Sequence, residues 1–150
     1  MRRTAFSLAF MLGAMLLIAG TAFAVTRTCN GGECRGTDGM DTLYGSNMGE
    51  TIYGLSGNDK IYGAGGADVL KGGYGMDFVK DGGGNNTIKG GLGRDVIRGG
   101  PGDETIRAGA VGQDNDLASD DVDCGGGTDT VYYTPGQDTI RNCEVLQPVR

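Results

Sequence analysis

Residues 72–107 read GGYGMDFVKDGGGNNTIKGGLGRDVIRGGPGDETIR, which is four nine-residue units of one pattern. The same unit runs without a gap from Gly36 to Arg107, so eight units cover 72 residues. After an interruption at 108–114, three looser units follow from Asn115, Cys124 and Tyr133. A short period sustained in this way predicts a repeat architecture of small stacked modules.

The eighth position of every unit is aliphatic and supplies the predicted core. Its residues are Leu43, Ile52, Ile61, Leu70, Val79, Ile88, Ile97, Ile106, Val122, Val131 and Ile140. One apolar residue in nine cannot form a helical stripe, but it fits a short strand with one inward residue and a tight turn. Two units then form one coil of an all-β parallel solenoid, with coils stacked about 4.8 Å apart.

Glycine and aspartate fill the turns between these strands. The chain has 31 glycines in 150 residues, and the sixth position is Asp in eight of the eleven units. Glycine supplies the left-handed backbone that tight turns need. Stacked carboxylates repel each other, and a cation between them relieves the repulsion. A metal-free acidic turn is the alternative, because Asp is common in turns.

Units 72–80 and 90–98 match each specified position of the pattern G-G-x-G-x-D-x-U-x, where U is aliphatic. The chain therefore resembles the repeats-in-toxin family, strongly over 36–107 and loosely over 115–141. The resemblance implies a parallel β-roll with two repeats per coil that binds Ca²⁺ between successive turns. Asp carboxylates and main-chain carbonyls are the implied ligands. The whole chain also looks like small secreted bacterial calcium-binding proteins with cysteines flanking the roll.

Odd and even units place their turns on opposite edges, which we call the odd edge and the even edge. The even edge carries Glu50, Asp68, Asn86 and Glu104. The odd edge is intact, so we expect it to hold the tighter sites, about three, one between each pair of turns. Occupancy of both edges is the alternative. The predicted metal set is Asp41, Asp59, Asp77 and Asp95, with Asp68 from the even edge, and the turn glycines Gly36, Gly39, Gly54, Gly57, Gly72, Gly75, Gly90 and Gly93.

Residues 1–24 have a basic start, an apolar stretch and a small-x-small ending, Ala22-Phe23-Ala24. This pattern predicts a signal peptide cleaved after Ala24, with an uncleaved membrane anchor as the alternative. Cleavage removes two arginines, so 13 basic residues become 11 against 19 acidic ones. Such a balance disfavours nucleic acid and favours cations. We therefore expect a secreted, extracellular bacterial protein that has no membrane span after cleavage.

Four cysteines in an exported chain suggest two disulfides, and a zinc site made by all four is the alternative. Their spacing is not that of a zinc ribbon. The solenoid separates the two ends of the array by about 20 Å, whereas disulfide Cα atoms lie within about 7 Å. We therefore predict the pairs Cys29–Cys34 and Cys124–Cys143, the second pair being one coil and one residue apart.

The predicted organisation is a leader at 1–24, a disulfide cap at 25–35 and an eight-repeat roll at 36–107. An irregular acidic insert at 108–123 follows, and then degenerate repeats with a second cap at 124–150. The chain contains no His, which excludes catalysis that depends on histidine. No protease, lipase or pore-forming domain precedes the repeats, so we expect no enzyme or toxin activity.

The expected function is that of a monomeric calcium-binding β-roll that needs Ca²⁺ to fold. Its expected role is structural, adhesive or calcium-buffering. The alternative is a calcium-stabilised adhesin or carbohydrate-binding module. In that case an outer Tyr or Lys/Arg face would bind a cell-surface glycan or polymer.

Overall fold

The structure is a computed structural model that describes residues 23–109 and 118–149. Its described residues form fourteen short strands and no helix. The strands are β1 (Thr26–Thr28), β2 (Gly32–Arg35), β3 (Thr42–Tyr44), β4 (Glu50–Ser56), β5 (Lys60–Gly65), β6 (Val69–Tyr74), β7 (Phe78–Gly83), β8 (Thr87–Leu92), β9 (Val96–Arg98), β10 (Thr105–Gly109), β11 (Asp121–Asp123), β12 (Thr130–Tyr133), β13 (Thr139–Arg141) and β14 (Val145–Pro148).

The chain alternates between two parallel sheets of seven strands each. One sheet has the order β1-β3-β5-β7-β9-β11-β13, and the other has the order β14-β12-β10-β8-β6-β4-β2. Leu43 pairs with Ile61, and Ile61 pairs with Val79, so each coil contains 18 residues. This register confirms the predicted all-β parallel β-roll with two repeats per coil.

The core is the predicted aliphatic column. Its side chains from Leu43 to Val131 are fully buried, while Ile140 at the C-terminal end is partly buried. The central residue of each strand points between the sheets, and its two neighbours point outwards, because side chains alternate along a strand. With so narrow a core, the fold depends strongly on the bonds between coils and on the contents of the turns.

The column continues across the irregular segment near the C-terminus. Ile97 pairs with Val122, which is 25 residues further along the chain. The predicted insert at 108–123 overlaps the end of β10 and the whole of β11. Residues 110–117, in the middle of that insert, lie outside the described residues. Extra residues are therefore accommodated between two strands without shifting the stack.

Disulfides close both ends of the roll. Cys29–Cys34 has a Cα–Cα distance of 5.8 Å, and Cys124–Cys143 has one of 5.3 Å. Both predicted pairs are confirmed, and with no thiol free, the four-cysteine zinc site is excluded. Most of the predicted leader lies outside the described residues, among which no helix is long and apolar enough to cross a membrane.

Candidate metal centre

The sixth residue of a unit lies where the turn meets the following strand, and in all but the last unit its side chain is buried in the roll. These side chains are acids or one amide, and ten of them are at most 2% exposed. The ten are Asp41, Glu50, Asp59, Asp68, Asp77, Asn86, Asp95, Glu104, Asp120 and Asp129. Burial of so many ionisable groups in a small fold needs compensating partners.

One oxygen of a buried carboxylate accepts a hydrogen bond from the coil before it. On the odd edge, Asp59 Oδ1 accepts from the Asp41 N–H at 2.8 Å, and Asp77 Oδ1 accepts from the Asp59 N–H at 2.8 Å. On the even edge, Asp68 Oδ1 accepts from the Glu50 N–H at 2.8 Å. These bonds join successive coils and fix the position of the second oxygen of each aspartate.

That second oxygen is buried without a hydrogen-bond donor in Asp59, Asp68, Asp77 and Asp129. A buried polar atom without a partner costs about 1–3 kcal/mol, and a charged one costs more. Carbonyl oxygens of the next coil lie close to it. A Cβ on Gly54 would lie 2.4 Å from both Asp59 Oδ2 and the Gly72 carbonyl oxygen. The glycine thus leaves open a space lined by oxygen atoms.

The predicted odd-edge residues lie together in one stack of turns. The first-position glycines each lie between the carboxylate of their own unit and a carbonyl of the next coil: Gly36, Gly54, Gly72 and Gly90. The fourth-position glycines Gly57, Gly75 and Gly93 each lie against the backbone carbonyl of the fourth-position glycine one coil earlier, which for Gly57 is Gly39.

The donors in these turns suit a hard cation. They are carboxylate and carbonyl oxygens, which Ca²⁺ prefers, and they include no imidazole or free thiolate. Three acidic side chains do not converge on one point anywhere within 23–109 or 118–149. An ion in these turns would therefore take one or two carboxylates and complete its coordination with backbone carbonyl oxygens.

Burial also raises the pKa of the interior carboxyls. It is the largest cause of the rise to about 6 in the pKa of Asp59, Asp68 and Asp77, and the nearest carboxylate of the preceding coil adds to it. Burial raises the pKa of Glu104 to about 8, and the charge of Asp81 is the next cause. The ionised form is thus disfavoured in the metal-free turns, and a bound cation would remove that penalty.

Unit 81–89 departs from the pattern at two positions that compensate each other. Asp81 replaces the first glycine, and Asn86 replaces the sixth-position aspartate. Asn86 Nδ2 donates to Asp81 Oδ2 at 3.1 Å, and both side chains are buried. The carboxylate has moved from the sixth to the first position, so the turn keeps its negative charge. Sequence reasoning missed this exchange, although both changes fall within one unit.

Two further acidic residues were missing from the predicted metal set. Asp120 and Asp129 occupy the sixth position of loose units and extend the odd and even edges by one coil each. Asp120 Oδ1 accepts from the Asp95 N–H, and Asp129 Oδ1 accepts from the Glu104 N–H, both at 2.8 Å. Their position in the nine-residue phase was the signal that could have identified them.

Comparison with known proteins agrees with this geometry. The family model of the RTX calcium-binding nonapeptide repeat (4 copies) matches residues 35–70, 44–79 and 80–110. These matches together span 35–110, which is 76 of the 150 residues. Searches of curated proteins and of solved structures found no match. The matched span contains the stacked turns with their buried carboxylates, and the chain belongs to the RTX calcium-binding nonapeptide repeat family, which binds Ca²⁺ in such turns.

Proposed function

We propose that this protein is exported and folds only with Ca²⁺, and that its role is structural, adhesive or calcium-buffering. The main support is the stack of buried carboxylate oxygens that lack hydrogen-bond donors, such as those of Asp59 and Asp77. Their pKa of about 6 leaves them mostly ionised at neutral pH. Ca²⁺ between successive turns would supply the missing positive charge, and its binding free energy would become folding free energy.

The proposed ligands follow from the same stack. On the odd edge they are the carboxylates of Asp59, Asp77 and Asp95, with carbonyl oxygens of the turn glycines, and on the even edge Asp68 is the counterpart. The even-edge sites are weaker in this proposal, because the longer side chain of Glu104 replaces aspartate there. Calorimetry of Asp59→Ala and Asp68→Ala tests the ranking. Equal losses of calcium affinity in the two variants would contradict it.

Calcium-dependent folding is tested by circular dichroism during a calcium titration, with calorimetry for the number of ions. The expected result is a change from a coil-like to a β-rich spectrum as the sites fill. Mg²⁺ at the same concentration serves as the control, because it demands stricter geometry and retains its waters. A β-rich spectrum in chelator that calcium leaves unchanged would contradict the proposed dependence.

Export is supported by the leader pattern and by the two disulfides, which persist in oxidising compartments. The proposed mature chain begins at Val25. N-terminal sequencing of the protein recovered from the medium of an expressing bacterium tests this. Retention in the cell with residues 1–24 attached would contradict it.

A carbohydrate-binding role is the second candidate, and a cleft on the outer face of the second sheet favours it. The cleft is lined by Tyr53, Leu55, Lys71, Tyr74 and Leu92, over a floor of glycines. The Lys71 ammonium lies 4.4 Å from the Tyr53 ring centroid, and Tyr74 is 63% exposed. The exposed Tyr74 ring offers an apolar face, and Lys71 over the half-buried Tyr53 ring offers a positive charge, to an acidic sugar.

A glycan array read with and without calcium separates the two candidates. If the cleft binds sugar, signals will require calcium and will be lost in Tyr74→Ala. Tyr44→Ala, on the opposite sheet, is the matched control and should retain them. Absence of any signal in the presence of calcium would contradict the carbohydrate-binding role and favour the first candidate function.

A further inference from the structure

The acidic residues of the first coil differ from those of the interior in their hydrogen bonds. Asp41 accepts from the Val25 N–H at 2.7 Å, from the Thr37 N–H, and from the Thr37 hydroxyl at 3.0 and 3.1 Å. Glu50 accepts from the Ser46 N–H at 3.2 Å and from the Ser46 hydroxyl. Both oxygens of each carboxylate therefore have donors.

In the last turn of the roll, both carboxylate oxygens also have a donor, and here both donors are backbone N–H groups. Asp138 Oδ2 accepts from the Thr134 N–H at 2.7 Å, and Oδ1 accepts from the Asp120 N–H at 3.1 Å. In all three turns a hydroxyl residue stands at the second position of the unit, four residues before the acid. Both ends of the stack therefore have the same kind of turn.

Interior turns lack this hydroxyl and have a different backbone. Their second positions include Leu55, Ala64, Gly73 and Gly125, all with positive φ, with values of +88° at Leu55 and +76° at Ala64, whereas Gly100 is outside the left-handed region. The threonine and serine of the end turns are outside the left-handed region. Positive φ is costly for Leu and Ala, so the interior conformation is imposed by the stack. The acid of each of these four turns has one oxygen without a donor, namely Asp59, Asp68, Asp77 and Asp129, and both oxygens of Glu104, whose unit has Gly100 at the second position, also lack one.

We propose that these two kinds of turn divide the roll into calcium-independent ends and a calcium-requiring interior. The residue at the second position decides which kind of turn a unit forms. This inference rests on the proposed calcium-dependent folding. In an end turn, backbone N–H groups, joined in the first coil by the Thr37 and Ser46 hydroxyls, donate to both carboxylate oxygens, so neither is left for an ion. In an interior turn, the second oxygen needs a cation.

The proposal removes Asp41 from the predicted set of calcium ligands, and it leaves Glu50 outside that set. It also assigns the two ends of the roll a role in folding. The disulfide Cys29–Cys34 crosslinks the chain directly before the turn that contains Thr37. The disulfide Cys124–Cys143 crosslinks the coils on either side of the turn that contains Thr134. Ends that form without metal would offer a template on which interior coils order as ions bind, because each coil contacts only its neighbours.

The number of bound ions distinguishes end turns from interior turns. Asp59→Asn and Asp41→Asn are matched variants, because both change the sixth position of an odd-edge unit. At saturating calcium, calorimetry should show at least one fewer ion per chain for Asp59→Asn and the wild-type number for Asp41→Asn. Equal losses would overturn the division while leaving calcium-dependent folding intact.

Substitution at the second position tests its control of the turn. Thr37→Gly removes the hydroxyl and permits the interior backbone, so it should add one bound ion per chain. Leu55→Gly changes the same position of an interior unit and should leave the number unchanged. An unchanged number in Thr37→Gly would overturn the role of the second position.

Amide hydrogen exchange in chelator tests the division on the wild-type protein alone, so the test does not depend on whether a variant folds. Amides of Thr37, Ser46 and Thr134 should exchange at least about tenfold more slowly than those of β5 to β8, and calcium should protect the interior. A gain of protection spread evenly over ends and interior would contradict only the division. Exchange rates that calcium does not change at any residue would contradict both the division and the proposed calcium requirement for folding.

Discussion

Gly75 lies where one methyl group would oppose the stacking of two coils. Its φ is +128°, and a Cβ there would lie 1.9 Å from the carbonyl oxygen of Gly57 in the preceding coil. Since real Cβ contacts below 3.0 Å are essentially never seen, the two turns must separate by about 1 Å. That is a large fraction of a spacing of about 4.8 Å.

The cost of Gly75→Ala has two parts. A non-glycine residue in this backbone region costs about 1–3 kcal/mol. Separation of these two coils also weakens the bond from the Gly57 N–H to the Tyr74 carbonyl, which is 2.9 Å long, and the bond from the Met76 N–H to Asn58 Oδ1, which is 2.8 Å long. Each contributes about 1 kcal/mol. The free energy of unfolding should therefore fall by about 3–5 kcal/mol.

Gly83→Ala is the matched control. No atom lies within 4 Å of the Cβ it would add, and its φ is outside the left-handed region. That substitution should stabilise the fold by about 0.4–1 kcal/mol, through the unfolded chain. Denaturant unfolding at saturating calcium, followed by circular dichroism, should separate the two variants by about 4 kcal/mol, almost a thousandfold in the equilibrium constant. Free energies of unfolding within 1 kcal/mol of each other would refute the reasoning.

Three further predictions concern the aliphatic core, the protonation of a buried aspartate, and the Asp81–Asn86 pair. Ile61→Ala removes one of the two aliphatic side chains that each coil contributes to the core, and it should lower the free energy of unfolding by about 2–5 kcal/mol in the same denaturant assay, whereas an unchanged value would argue against that core. Burial raises the pKa of Asp59 from 3.8 to about 6, so the metal-free folded chain binds this proton more tightly than the unfolded chain does. The folded fraction in chelator should therefore rise as the pH falls through about 6 towards 4, and calcium affinity should fall; circular dichroism in chelator and calcium titrations at pH 7 and 5 will check both. Asp81→Gly should weaken calcium binding on the even edge, and adding Asn86→Asp should restore it by calorimetry, because the pair returns one carboxylate to the turn; failure of the second change to rescue would refute the compensation.

The amino-acid sequence alone determined the architecture of this protein. The nine-residue period and the aliphatic eighth position are local patterns, and they are sufficient to predict strands, turns and two units per coil. The cysteine pairs followed, because a separation of one coil and one residue brings Cys124 and Cys143 to adjacent levels. The columns of glycine and aspartate likewise identified the chemistry of the turns.

Only the tertiary structure decided which carboxylate oxygens have donors. Asp41 and Asp59 stand in the same column with the same turn glycines, so the pattern ranks them as equals. They differ because Thr37 turns its N–H and hydroxyl towards Asp41, whereas Leu55, with positive φ, leaves Asp59 Oδ2 without a donor. Hydrogen bonding of a carboxylate depends on the directions of backbone groups four residues away and one coil away, and a one-dimensional pattern does not contain those directions.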